Sequence, residues 1–127
     1  MASELRVDTL KDSSGNNSVG MAYVAEGSAK AWVNFNGTGT VAIRNSLNTS
    51  SITDRTTGSY TQNYSSSWSA VDYTVTASGT SSANYSSAID DTDGAPTTSA
   101  TLIQTVTAAA SQNDSPYAIF VEHGDLA

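Results

Sequence analysis

The chain has 127 residues, no Cys, one His, 13% charged residues and a net charge of −7 at pH 7. That length suits a single domain with a modest core rather than a core plus a separate catalytic domain. The missing cysteines exclude disulfides, thiolate nucleophiles and thiolate metal sites, and five basic residues against twelve acidic ones argue against a phosphate-binding surface.

Residues 1–27 differ from the rest. Glu4, Arg6, Asp8, Lys11 and Asp12 fall within the first twenty positions, so no signal peptide or membrane span is expected there. Leu5, Val7 and Leu10 are sparse apolar anchors before the turn cluster Asp12-Ser13-Ser14-Gly15-Asn16-Asn17. A short apolar stretch follows at residues 19–25. This is too little apolar surface to fold alone. It reads as an extended arm that finds its partner on another chain, or as a first strand pairing with its own domain.

From residue 28 the pattern is β. Apolar residues come in short runs separated by Gly, Asn, Asp and Ser, and 38 of the residues are Ser or Thr. Ala31, Val33 and Phe35 share one face of a strand, with Trp32 and Asn34 on the other. Asn36-Gly37-Thr38-Gly39 then supplies a turn, and Val41-Ala42-Ile43-Arg44 resumes the alternation as a hairpin partner. Ser51-Ile52-Thr53 predicts a short strand. Residues 59–64 alternate with Tyr60, Gln62 and Tyr64 on one side, and residues 71–77 place Val71, Tyr73, Val75 and Ala77 on one face. Residues 78–100 read as a long loop or weak edge strand. Two late strands, residues 101–106 and 117–121, close the domain.

About seven short strands and no helix predict an all-β fold: an antiparallel β-sandwich or small Greek-key barrel over residues 28–127, with an N-terminal arm over 1–27.

Few residues suggest chemistry. His123, in Glu122-His123-Gly124-Asp125, has no second His or Cys to complete a zinc site, so it reads as a surface or interface residue. With Ser so abundant, a Ser-His-Asp combination carries no information, and no nucleophile-elbow pattern is present. Asp90-Asp91-Thr92-Asp93-Gly94 resembles part of a calcium loop. With Gly94 at the turn, however, the first ligand position is Ile89 and the last is Ala100, so it reads as a solvated acidic turn. Gly37-Thr38-Gly39 is followed by a strand rather than a helix, which makes it a hairpin turn and not a dinucleotide fingerprint. No catalytic residue, metal or cofactor is expected. Trp68 and Tyr85, in polar surroundings, are the candidates for contact with a surface ligand such as a sugar ring, whereas Tyr73 reads as core.

Lys30-Ala31-Trp32-Val33-Asn34-Phe35-Asn36-Gly37-Thr38-Gly39-Thr40-Val41-Ala42-Ile43-Arg44, continuing through Ser50-Ser51-Ile52-Thr53-Asp54 and Gly58-Ser59-Tyr60-Thr61, resembles a segment of tail-fibre-like structural proteins of tailed bacteriophages. Ser3-Glu4-Leu5-Arg6-Val7-Asp8-Thr9-Leu10, followed by Asp12-Ser13-Ser14-Gly15, is similar to the openings of virion proteins of aquatic phages. The resemblance covers roughly residues 1–20 and 30–77 and ends after Ala77. It implies a homotrimer on the virion exterior, assembled in the host cytoplasm. The N-terminal arm would dock onto other virion proteins through Leu5, Val7 and Leu10, and the β-domain would project towards a host-surface glycan. A capsid decoration protein that stabilises the head is the alternative. A small hydrolase is the remote one, and it would require His123. Neither nucleic acid nor membrane insertion is expected.

Overall fold

The alternating run from Ala31 sets the architecture. Ala31, Val33 and Phe35 are wholly buried while Trp32, Asn34 and Asn36 are half-buried on the opposite face, so one strand divides core from surface. A computed structural model describes residues 3–80, 86–89 and 94–127. Its elements are β1 (Thr9–Lys11), β2 (Ser18–Gly20), α1 (Met21–Gly27), β3 (Ala31–Asn36), β4 (Ala42–Leu47) and β5 (Thr49–Thr56). They continue with β6 (Ser59–Tyr64), β7 (Thr74–Thr80), β8 (Ser86–Ile89), β9 (Ala100–Val106) and β10 (Tyr117–His123).

Two four-stranded antiparallel sheets, ordered β4-β3-β10-β7 and β5-β6-β9-β8, pack as a sandwich. The chain passes from β4 to β5 at Asn48, whose φ of 52° lets the backbone turn the corner between sheets. Its side chain fixes that corner by bonding Ser66 O at 3.1 Å and accepting from Ser66 N at 2.7 Å. On the other side β7 lies against β8, and β10 returns to pair with β7. Strands β7 to β10 therefore make a Greek key across the two sheets.

The core has two parts. One is Val33, Phe35, Tyr60, Ile103, Ala118 and Phe120, with Tyr60 edge-on to Phe35 at 5.0 Å. The other is Ala31, Tyr64, Trp68 and Tyr73, where Trp68 stacks on Tyr73 at 4.7 Å. The second closes one end of the sandwich. There the crossover from β6 to β7 is held by Trp68 N to Thr98 O at 2.8 Å and by Ser69 N to Asp125 O at 2.9 Å.

Several expectations need correction. Residues 71–77 do not form one alternating strand: β7 begins at Thr74, and Val71 is exposed in the crossover. β5 runs over eight residues rather than three, because its ladder to β6 needs only backbone groups and tolerates polar side chains at a sheet edge. A helix was not expected, yet α1 forms in Met-Ala-Tyr-Val-Ala-Glu-Gly, a composition with several good helix formers. Residues 78–100 include an edge strand, β8, the second of the two readings given for that stretch.

Candidate functional site

The N-terminal segment is built from local rules alone. Asp12 organises its turn by accepting from Asn16 N at 3.0 Å and Asn17 Nδ2 at 2.7 Å, while Gly15 takes a φ of 72°. Those donors hold the Asp12 carboxyl below the usual carboxylate range. The resulting β1–β2 hairpin runs directly into α1, and the segment is therefore not extended throughout, as an arm would be. Neither β1 nor β2 pairs with a strand of the sandwich.

No side chain of this segment is buried among the described residues. Leu5 and Tyr23 are each 78% exposed, and Val7, Leu10 and Val19 are exposed as well. Leu10, Lys11, Asp12, Asn17, Ser18 and Val19 line a shallow cleft of about 300 Å³. A hairpin of two three-residue strands and a seven-residue helix are each too short to be stable alone in water. Of the sequence-predicted contacts, Leu10 lies in β1 and Leu5 and Val7 in the irregular chain before it, and all three are exposed.

The two outer faces of the sandwich differ in kind. On the β4-β3-β10-β7 sheet, Trp32 sits between Leu47 and Val121 in adjacent strands, and Asn34 sits beside Ile119. Leu47 and Tyr117 are exposed there, and the Arg44 guanidinium lies 4.3 Å from the centre of the Tyr117 ring. On the other sheet β5 and β6 turn hydroxyls and amides outward, with Asn63 Nδ2 donating to Ser51 Oγ and Thr53 Oγ1 at 3.1 Å each, while β9 sets Leu102 opposite Thr61.

Trp68 is not a surface-ligand contact. It is 1% exposed, stacked on Tyr73 and edge-on to Tyr64, because the crossover folds back over the open end of the sandwich. Tyr73 is buried as expected, with its hydroxyl donating to Thr97 O at 3.0 Å. Tyr85 lies outside the described residues, as do Asp90, Asp91, Thr92 and Asp93.

His123 is half-buried beside Glu26, Asp72, Thr74, Gly124 and Asp125 in a cleft of about 380 Å³. The hydroxyl there, Thr74 Oγ1, donates to His123 O at 3.4 Å. Among the described residues no group of three or more His, Asp and Glu side chains could hold a metal ion.

One charged residue of the Glu122-His123-Gly124-Asp125 run is buried, which the sequence does not lead one to expect. Glu122 is 0% exposed and neither carboxyl oxygen has a hydrogen-bond partner. Burial pushes its carboxyl up to about 7, opposed in part by the neighbouring Gln62 amide. The signal was the alternation itself, since Ala118, Phe120 and Glu122 are two apart in β10 and share its inward face.

No family model, curated protein or solved structure matches the chain.

Proposed function

We propose that this chain is a structural protein of a bacteriophage virion, tail-fibre-like, acting by binding and not by catalysis. The segment over residues 1–27 attaches it to neighbouring copies or other virion proteins, and the β-sandwich projects from the particle exterior towards the host surface. The observation that carries the reading is the exposed apolar set Leu5, Val7, Leu10, Val19 and Tyr23 in a segment whose elements are too short to stand alone. The resemblance of residues 1–20 and 30–77 to phage virion proteins supports the same assignment. A homotrimer suits it, because several weak sandwich contacts would add to firm attachment. With Trp68 buried, contact with a host glycan falls to the face that exposes Tyr117 and Leu47.

A second reading is favoured by one feature. The β1–β2 sheet has only two strands, so each keeps an open edge able to extend a sheet of another protein. On a phage head, that would make the chain a decoration protein lying on the major capsid protein. Copy number in purified particles, measured by quantitative mass spectrometry against the major capsid protein, separates the two. A few copies per particle fit the tail, and a count approaching that of the capsid protein fits decoration. Absence from every purified particle would defeat both.

A further inference from the structure

Glu122 is the one described carboxylate in the sandwich that is both wholly buried and without a partner, and it does not stand alone. Gln62, wholly buried on β6 of the opposite sheet, donates from Nε2 to Thr49 Oγ1 at 2.9 Å. That leaves Gln62 Oε1, like both oxygens of Glu122, buried without a donor. Three acceptor atoms in one small region of a core is an arrangement native proteins avoid. A single proton on Glu122 removes the conflict, because a neutral carboxyl donates where a carboxylate only accepts.

We propose that Glu122 is held as the neutral acid in the folded sandwich and donates to Gln62 Oε1, forming a proton-dependent latch between the two sheets. Of its described surroundings, the Gln62 amide favours the charged form and offsets burial only in part. β3 places Ala31 opposite Glu122 and β7 places Val75 there, both apolar. β6 contributes Gln62 and the Tyr64 phenol, which burial keeps protonated. Lys30 donates its backbone N–H to Glu122 O, but its Nζ is turned to Ala25 O of α1. His123, the next residue, lies on the outward face of β10 by alternation.

The sign of the pH effect follows from burial. The folded carboxyl binds its proton more tightly than the unfolded one, from 4.5 up to about 7. Folding therefore takes up a proton between those values, and stability falls as pH rises through that window. Below it the latch is closed in full; above it both states are charged and the loss levels off.

Two measurements on the full chain test this. The sequence has three glutamates, and Glu4 and Glu26 are exposed, so ¹³Cδ-glutamate NMR resolves the third. Its carboxyl signal is expected to titrate near neutrality. Thermal melts should then show wild type losing roughly 10 °C in Tm between pH 5 and pH 8 relative to Glu122→Gln, an amide that copies the neutral acid. A Glu122 signal that titrates with the two exposed glutamates would overturn the latch and turn the Gln62 amide round, with Nε2 towards Glu122. Parallel melting curves for the two proteins would overturn it equally.

Discussion

The N-terminal segment and the sandwich use the same kinds of residue in opposite ways. In the sandwich, Val33, Phe35, Ile103 and Phe120 are wholly buried, and the central strands β3, β10, β6 and β9 are paired on both sides. In residues 3–27, Leu5, Val7, Leu10, Val19 and Tyr23 are exposed and no described residue is fully buried. What separates the regions is the presence of a covering surface, not hydrophobicity. A two-sheet core supplies its own cover; a short hairpin has to borrow it.

The sharpest way to break that comparison is amide hydrogen exchange on the dilute free chain. Amides of β3, β6, β9 and β10 are expected to exchange on the order of a thousandfold more slowly than those of β1, β2 and α1. Comparable protection in both regions would mean that the N-terminal segment is stable unaided. Next in size is the core itself. Phe120→Ala empties the centre of the sandwich and should cost about 3–5 kcal/mol by urea denaturation.

A smaller effect comes from the close approach between the β3–β4 turn and β6. Tyr60 donates to Gly37 O at 3.0 Å and to Asp114 Oδ1 at 3.0 Å, and a Cβ on Gly37 would sit 2.4 Å from that hydroxyl. Gly37→Ala is expected to cost about 1–3 kcal/mol. Tyr60→Phe should cost about 1–2 kcal/mol by removing one donor from the half-buried Asp114 carboxylate, which keeps the Gly58 N–H at 2.7 Å. Because the lost hydroxyl is what the new methyl would strike, the double variant should be more stable than the two costs summed; strict additivity would contradict the contact. At the bottom of the scale, Leu5→Ala and Tyr23→Ala in the free chain should change stability by less than about 0.5 kcal/mol. A larger cost for either would reveal a covering contact within the chain.

Much of the sandwich was legible because its strands follow alternation. Residues 31–35 show apolar side chains every second position and residues 59–64 show Tyr60 and Tyr64 flanking Gln62, and both series face the core as read. Where alternation was absent the reading failed for physical reasons. β5 is an edge strand whose pairing rests on backbone bonds, so Thr, Ser, Asp and Arg conceal it. Trp68 looked exposed because its neighbours are Ser, yet bonds to Thr98 and Asp125 fold that crossover onto the aromatic cluster. No local pattern announces such a long-range return. Val71 erred the other way: it matched the period of β7, but the chain is still in the crossover there. The exposure of Leu5, Val7 and Leu10 was legible, since too few apolar residues surround them in the sequence to form a core. Glu122 was hidden by its charge, which outweighed the inward register it shares with Ala118 and Phe120.

The decisive measurement is incorporation into particles by the full chain and by a version lacking residues 1–27, quantified by mass spectrometry of purified virions. If the N-terminal segment is the attachment element, the shortened protein folds, with a melting temperature close to that of the full chain, and is missing from the particles. Wild-type occupancy by the folded, shortened protein would contradict that assignment and move attachment to the sandwich.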